Sequence, residues 1–219
     1  MSEIYHIAID GPVASGKGTV ARELGKRLGI PALDTGAMYR AVALHVLDND
    51  IKNECDVKVG IDLLDICVKI VDGVTRVFNN GIDVTDKIRT SRVAQKASSM
   101  ANHCREKLTI VMRELASTQS IILDGRDIAS FVLPNAKYKF YLTASVDIRA
   151  KRRLAQMGDG ITFNELVNKI EARDKLDMER EIGALKIVDD AIVIDNSNLN
   201  LDETVDLMLS YVAECDKVR

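Results

Sequence analysis

The chain has 219 residues, of which 47% are hydrophobic and 29% are charged, a balance typical of a soluble protein with a sizeable core. Its formal net charge of −3 provides no overall positive field for nucleic acid, and no apolar run approaches the roughly eighteen residues of a membrane span. The N-terminal stretch "MSEIYHIAID" is too short and too acidic for a signal peptide, and the four cysteines lack C-x-x-C spacing, so we expect reduced thiols and a cytoplasmic location.

The first predicted elements lie on either side of a glycine-rich turn. The segment "YHIAID" predicts a short buried strand, because apolar residues continue up to the turn. A helix is predicted from Ser15 to about Gly29, since Val20, Leu24 and Leu28 recur every four residues. The turn between them therefore connects a strand directly to a helix.

The next segments predict a second strand and helix, followed by a change of pattern. "IPALD" predicts a strand, and "TGAMYRAVALHVL" predicts a helix with Thr35 near its N-cap. Residues 69 to 86 alternate valines with polar residues near period two and contain the turn signals D-G and N-G, which indicate a small antiparallel sheet. A long helix is predicted from about Ser91 to Ser117.

The remaining segments complete the prediction of an α/β fold. "SIILDGRD", "KYKFYLTAS" and "AIVID" predict buried strands, and helices are expected at about 146–157, at 163–181 and from about 201 onward. Short apolar strands that alternate with helices indicate a parallel sheet flanked by helices. Four strands end in an aspartate followed by glycine or polar residues. Because ligands bind at the carboxyl ends of such strands, we expect these four ends to converge on one edge.

The turn "GPVASGKGT" nearly matches the phosphate-binding pattern G-x-x-x-x-G-K-[ST]. Gly11, Gly16 and Lys17 have the required spacing, but Gly18 occupies the hydroxyl position and Thr19 comes one residue late. Glycines allow backbone N–H groups to form an anion nest, and the helix N-terminus adds partial positive charge. The alternative is a glycine-rich turn without a ligand, which does not explain a lysine where the helix dipole disfavours a cation.

The order G-K-G-T resembles the loop of nucleoside monophosphate kinases related to adenylate kinase. "IAIDGPVASGKGT", "LDTGAMYRA", "DVTDKIRT", "ILDGRD" and "EARDKLDMER" together resemble the bacterial cytidylate kinase family, in order and at fitting spacing. The resemblance extends from residue 4 to about residue 197, and "DTGAMYR" with "DGRD" is its most specific part. The chain departs from the family where "EIGALK" lacks a proline, at Met178 and Ala129, and in "SSMANHCREKL", which is about two residues shorter.

The resemblance implies a P-loop kinase fold and transfer of the γ-phosphoryl group of ATP to CMP and dCMP, with Mg²⁺ as cofactor. It implies that ATP is bound by the loop residues Gly11, Pro12, Val13, Ala14, Ser15, Gly16, Lys17, Gly18 and Thr19. It implies that CMP is bound by Thr35, Tyr39, Arg40, Ser98, Arg105, Arg126, Asp127, Arg173 and Asp177. Lys17, Arg126, Arg173 and Arg180 are the implied catalytic residues. The magnesium would be held by Asp124 through water, with Thr19 as a further candidate.

Elementary chemistry supports several of these roles, and each has an alternative. Arg40 can bind a phosphate bidentately, or it can be a solvated helix residue. Arg126 and Asp127 can bind phosphate and the cytosine amine, which a carboxylate suits as an acceptor, or they can form a surface ion pair. Arg173 and Arg180 lie two helical turns apart and therefore share a face.

Five arginines and one carboxylate that bear on the transfer cluster in and just before the segment that would form a lid. Asp177 lies between Arg173 and Arg180 on their common face, which suits phosphates and ribose hydroxyls. The alternative is a charged helix with i,i+4 pairs such as Glu171 with Lys175, and this alternative is expected to account for Arg149. The cluster consists of Arg149, Arg152, Arg153, Arg173 and Arg180.

The sequence therefore predicts one P-loop kinase domain over 1–219, with an acceptor-binding insertion at 35–90 and a lid at 153–180. The expected partners are ATP and CMP or dCMP, with no nucleic acid and no membrane, and the protein is expected to be a monomer. Two other functions stay open. One is a P-loop kinase of a non-nucleotide metabolite such as shikimate or a sugar acid, and the other is a non-catalytic nucleotide-binding regulator.

Overall fold

Eight strands form two sheets in the part of the chain that a computed structural model describes, namely residues 4–71, 74–157 and 160–217. The strands are β1 (His6–Asp10), β2 (Ala32–Asp34), β3 (Ile66–Val71), β4 (Val74–Asn79), β5 (Ile82–Asp83), β6 (Ile121–Gly125), β7 (Tyr138–Thr143) and β8 (Ile192–Asp195). The helices are α1 (Lys17–Leu28), α2 (Thr35–Asp48), α3 (Glu54–Leu63), α4 (Ser91–Ser99), α5 (Ala101–Thr118), α6 (Val146–Met157), α7 (Phe163–Met178) and α8 (Leu201–Lys217).

The larger sheet is parallel and has the order β2-β6-β1-β7-β8. Successive residues of β1 point to opposite faces, as strand geometry requires. Ile7 and Ile9 pack in one core cluster with α1 and α8, whereas Ala8 packs in the other with α2 and α5. The predicted α/β fold, a parallel sheet with helices on both faces, is therefore confirmed.

The register of the parallel strands brings their aspartates to one edge. Asp34 at the end of β2 lies opposite Asp124 on β6, and Asp10 at the end of β1 lies opposite Gly125. Asp195 ends β8 at the far side of the same edge, opposite Thr143. The four predicted strand ends thus share the carboxyl edge of the sheet.

The smaller sheet is antiparallel and consists of β3, β4 and β5. Asn80 and Gly81 have φ values of 49° and 79°, the left-handed pair that a two-residue hairpin loop requires, so the predicted N-G turn is confirmed. The predicted D-G turn at residues 72–73 lies outside the described residues. Thr75 of β4 accepts a hydrogen bond from the backbone of Asp34 at 3.0 Å, which connects this sheet to the edge of the larger one.

Two predicted helix boundaries are wrong. The long helix expected from Ser91 is interrupted at Met100, whose φ of −109° and ψ of 9° separate α4 from α5. The expected position of Thr35 near the N-cap of α2 is confirmed, since Thr35 is the first residue of the helix and the side chain of Asp34 before it accepts the capping hydrogen bond from Ala37 at 3.0 Å. Helix α7 ends at Met178 rather than at residue 181. Among the residues that the structure describes, none of the helices combines the length and hydrophobicity needed to cross a lipid bilayer.

Candidate active site

The phosphate-binding loop lies between β1 and α1, where the sequence predicts it. Gly11 has a φ of 152°, and a Cβ there would come 2.1 Å from the carbonyl oxygen of Leu142, so only glycine fits beside β7. Gly16, at a φ of 93°, is the N-cap of α1, and Ala14 also has a left-handed φ of 60°. A left-handed residue next to a right-handed one turns successive N–H groups to the same side, which is the geometry of an anion nest.

Lys17 is buried at the first turn of α1. Its Nζ donates hydrogen bonds to the carbonyl oxygen of Pro12 at 2.7 Å and to Oγ of Ser15 at 3.4 Å. Burial and the neighbouring Arg126 guanidinium lower the pKa of Lys17 well below its ordinary value, although nearby carboxylates, first Asp124, oppose this shift. An anion arriving at the loop would therefore stabilise a lysine charge that the folded protein alone disfavours.

A cleft of about 1230 Å³ opens over the loop and the carboxyl edge of the sheet. Most of the predicted site residues line it, which brings the loop, the acceptor candidates and the lid arginines to one space. These lining residues are Val13, Ala14, Gly16, Lys17, Gly18, Thr19, Thr35, Tyr39, Arg40, Ser98, Arg105, Asp124, Arg126, Asp127, Arg173 and Arg180. Gly11, Pro12, Ser15 and Asp177 lie behind this surface.

One wall of the cleft holds buried polar atoms without partners. The hydroxyl of Tyr39 and Nε of Arg105 have no hydrogen-bond partner, although both are buried. The guanidinium of Arg105 lies 6.0 Å from the centre of the Tyr39 ring and forms a buried ion pair with Asp127. Because unpaired buried polar atoms are costly, this wall suits a polar ligand that supplies the missing partners.

The carboxylate of Asp127 lies at the bottom of this wall. Burial raises its pKa, and the charge of Arg105 opposes the rise. Gly183 covers the pair, since a Cβ there would lie 2.1 Å from Nη1 of Arg105 and 2.5 Å from Oδ2 of Asp127. The segment that follows the lid helix is thus in direct contact with the proposed base-binding residues.

Two predicted acceptor residues have partners of their own in this structure. Arg40 donates to Asp34 at 2.8 Å, and the hydroxyl of Thr35 donates to the backbone oxygen of Asp124 at 2.7 Å. Ser98 is half-buried on α4 and faces the cleft. Arg40 is thus oriented toward the cleft by a carboxylate, and Thr35 joins two neighbouring strands.

Asp177 is the centre of the arginine cluster. Its carboxylate is fully buried and accepts from Arg126 at 2.7 Å and from Arg173 at 3.1 Å, and it lies 2.6 Å from Nη2 of Arg180. Burial alone would raise the pKa of Asp177, but the three guanidiniums lower it overall. The arginine that follows β6 and the two from α7 and the residues just after it therefore converge on one point, and Asp177 is covered by them.

Asp124 is a buried carboxylate at the cleft and lies opposite a second carboxylate, that of Asp34. Burial, together with the charge of Asp34 on the neighbouring strand, raises its pKa to about 7. In the described part of the chain, no group of three or more His, Cys, Asp or Glu residues is arranged to hold a metal ion. These residues fit Mg²⁺ that keeps most of its waters, because Asp124 could hold such an ion through water and the exposed Thr19, which lines the same cleft, is a further candidate.

Several residues that build the site were missed or misread in the sequence. Arg149, expected to be part of a charged helix surface, is instead buried in an ion pair with Asp174. The sequence did not reveal this role, because Asp174 is distant from Arg149 along the chain. Asn196 donates to the loop oxygen of Ser15 at 3.1 Å and accepts from Arg152 at 2.9 Å. The polar segment "DNSN" after β8 was the available signal for Asn196.

Asp10 fixes the loop that carries Asp127. Its two carboxylate oxygens accept from the backbone N–H groups of Ile128 at 2.9 Å and Ala129 at 2.8 Å, where the chain makes a π-helical turn over Ile128–Val132. Burial raises the pKa of Asp10 to about 6, and the two backbone hydrogen bonds counteract only part of the rise. The folded state therefore binds more protons at this site than the unfolded state between pH 4 and pH 6.

The sign of this shift predicts a pH-dependent stability. A raised carboxyl pKa means that stability from Asp10 is present at low pH and is lost as pH rises through about 6. The free energy of unfolding of wild type minus that of Asp10→Asn should fall by about 3 kcal/mol between pH 3 and pH 7 and stay level above. Urea unfolding at several pH values measures this difference. For the control Asp190→Asn, the free energy of unfolding of wild type minus that of the variant should rise with pH, because Lys139 lowers the pKa of Asp190. If the difference between wild type and Asp10→Asn does not change with pH, the pKa of Asp10 is not raised in the folded protein.

The strand, loop and helix at the edge of a parallel sheet, with arginines opposite the loop, define a P-loop kinase. The family model for cytidylate kinase matches residues 7–214, and the chain therefore belongs to the cytidylate kinase family. A cytidylate kinase of Caldicellulosiruptor bescii is 44% identical over 93% of both chains. One from Shouchella clausii is 40% identical over 98% of both.

Solved structures support the fold alone. A shikimate kinase from Bacteroides thetaiotaomicron has a TM-score of 0.51 at 12% identity, covering 96% of this chain and 99% of that chain. An uncharacterized protein from Eubacterium ventriosum has the same TM-score at 15% identity. Identities this low establish a shared architecture and carry no conclusion about the substrate.

Proposed function

We propose that this protein transfers the γ-phosphoryl group of ATP to CMP, and also to dCMP, giving CDP or dCDP and ADP. The observation that carries the proposal is the single cleft in which the phosphate loop, the arginines around Asp177 and the Arg105–Asp127 pair face one another. Family membership and the names of the relatives support the choice of acceptor.

The residues act by positioning and by neutralising charge, since phosphoryl transfer needs little covalent chemistry from the protein. The loop N–H groups and Lys17 bind the β- and γ-phosphates of ATP. Arg40 and Arg126 hold the phosphate of CMP, and Arg173 and Arg180 neutralise the charge that develops on the transferring group. Mg²⁺, which Asp124 would hold through water with Thr19 as a further candidate, would offset the negative charge of the phosphates.

The base is proposed to bind against the wall with unpaired polar atoms. Asp127 accepts from the exocyclic amine of cytosine, while Arg105, Ser98 and the hydroxyl of Tyr39 contact the remaining polar atoms of the nucleoside. The buried hydroxyl of the half-buried Tyr39 and the buried Nε of Arg105 have no partner within the protein, so both are available to the nucleoside. This arrangement favours cytosine over uracil, which has a carbonyl where cytosine has the amine.

The proposal also covers the insertion, the lid, the cell compartment and the oligomeric state. Residues 35–90 would form the acceptor-binding insertion, and residues 153–180 would form a lid that excludes water during transfer. Cys67 and Cys104 are free thiols, which supports a reducing, cytoplasmic compartment. A monomer is proposed, and light scattering of the purified protein would test it.

A steady-state panel tests the function. ATP turnover should be fastest with CMP and dCMP, slower with UMP, and absent with shikimate and gluconate. Turnover with one of the last two compounds would identify a kinase of another metabolite. If ATP binds without turnover of any acceptor, the protein is a nucleotide-binding regulator.

Asp127→Asn should narrow the preference for CMP. The substitution keeps the size of the side chain but presents a donor to the cytosine amine and to the uracil carbonyl. We expect kcat/KM for CMP to fall by roughly 10²-fold and the CMP/UMP ratio to shrink, because unmatched buried polar pairs discriminate strongly. Both values of kcat/KM are measured in wild type and variant.

The control separates base recognition from support of Arg105. Arg105→Lys keeps a cation near Asp127 but loses the planar guanidinium. If Asp127→Asn lowers kcat/KM for both nucleotides by one factor, and Arg105→Lys does the same, then Asp127 serves only to orient Arg105.

A further inference from the structure

The phosphate loop is attached to the lid helix through the backbone of one residue. The N–H of Val13 donates to Oδ1 of Asp174 at 2.9 Å, and the carbonyl oxygen of Val13 accepts from Nη1 of Arg149 at 2.9 Å. Asp174 lies on α7 and Arg149 on α6. Both backbone groups of Val13 are therefore satisfied by side chains from outside the loop.

Arg149 and Asp174 are themselves a buried ion pair. Nη1 of Arg149 lies 2.5 Å from Oδ2 of Asp174, and the two side chains are only 6% and 8% exposed. Nε of Arg149 also donates to the carbonyl oxygen of Ala144, just after β7, at 2.9 Å. This pair, which we call the loop clasp, thus joins the phosphate loop, the end of β7 and α7.

The clasp lies beside the arginine cluster in sequence and in space. Asp174 directly follows Arg173 and precedes Asp177 by three residues, so one turn of α7 carries all three. Asp177 holds Arg126 and Arg173, whereas Asp174 holds the loop. The distance between the loop and the arginines is therefore set by one rigid helical turn.

We propose that Arg149 and Asp174 are positioning residues that hold the phosphate loop and α7 in a fixed relation, so that donor phosphates and lid arginines meet in line. They touch neither nucleotide and act through Val13 and Arg173. This inference rests on the proposed function, because it concerns the same transfer. It predicts a defect in the chemical step and in binding of the donor, and none in binding of the acceptor.

Arg149→Lys and Asp174→Asn test the proposal. The lysine keeps the charge but cannot reach Ala144, Val13 and Asp174 together. The asparagine keeps an acceptor for Val13 but removes the charge that Arg149 needs. We expect kcat to fall by about 10- to 100-fold in each, since small misplacements of reacting groups are costly. The affinity for ADP, measured by calorimetry, should fall by several-fold, while the affinity for CMP changes by less than about twofold.

A destabilised core variant provides the control for a purely structural role. Val205→Ala removes methyl groups from a fully buried position on α8, outside the cleft, and should lower the melting temperature while leaving kcat unchanged. All assays are run below the lowest melting temperature. The proposal is overturned if the clasp variants behave like Val205→Ala, or if ADP and CMP affinity fall equally. If one variant does not fold, the other decides.

The design also separates this inference from the proposed function. Wild-type turnover with CMP tests the function, and ADP affinity of the clasp variants does not depend on it. If wild type shows no turnover but the variants lose ADP affinity, the clasp stands and the function fails. If wild type turns over and the variants match it in kcat and ADP affinity, the function stands and the clasp is wrong.

Discussion

Replacing Arg180 by alanine is expected to lower kcat by about 10³-fold or more at saturating ATP and CMP, the range that arginines supply in phosphoryl transfer. Arg180 is largely buried and lies 2.6 Å from the carboxylate of Asp177, so it is oriented before any substrate arrives. A preorganised cation stabilises developing charge without reorganisation at the moment of reaction. Arg173→Ala should have the same direction of effect, measured in the same steady-state assay.

Two results would contradict this account. If KM rises in Arg180→Ala while kcat is intact, the arginine only holds substrate and makes no special contact in the transition state. If Arg27→Ala has an equal effect, the assay reports a general loss of positive charge. Arg27 is a suitable control because it forms ion pairs with Glu23, Asp202 and Asp206 at the surface between α1 and α8.

Lys17→Ala should lower kcat by roughly 10²-fold or more and change the melting temperature by only a few degrees. The large effect on kcat and the small effect on the melting temperature have the same cause. Burial and Arg126 lower the pKa of Lys17, so its charge does not favour the folded state, yet phosphate would stabilise that charge directly. Turnover with CMP and thermal unfolding without ligand measure the two effects.

The control for Lys17→Ala is Lys26→Ala near the exposed C-terminal end of the same helix. It removes one lysine charge from α1 without touching the loop, and turnover should be unchanged. Near-normal turnover of Lys17→Ala would refute the assignment of the phosphate loop. A large fall in its melting temperature would instead show that the hydrogen bond to Pro12 supports the fold.

The sequence predicted those parts of the fold that local patterns determine. The strand before the loop, the helix after it and the Asn80–Gly81 hairpin each follow from apolar periodicity or from residues suited to left-handed backbone. Helix α3 was missed because it is short, and its buried positions Val57 and Ile61 give only one helical repeat. The interruption at Met100 has no glycine or proline to mark it.

The parts of the site that could not be predicted depend on partners far apart in the chain. Arg149 was expected on a charged helix surface, because the sequence does not show that its partners are the carbonyl oxygen of Val13 and the carboxylate of Asp174. The π-helical turn after Asp127 is held by Asp10, which lies 118 residues before Ile128. The sequence already placed Asp177 with Arg173 and Arg180 on one helix face, but the fold was needed to show that Arg126 joins them.

The arrangement around Asp177 has a consequence for how fast nucleotides arrive. The whole chain has a net charge of −3, which repels anionic nucleotides at long range. In the cleft, three guanidiniums face a single carboxylate, so the local potential has the opposite sign and draws phosphates inward. This attraction acts over about 10 Å at 0.1 M salt, and the rate of nucleotide association should therefore decrease as ionic strength rises.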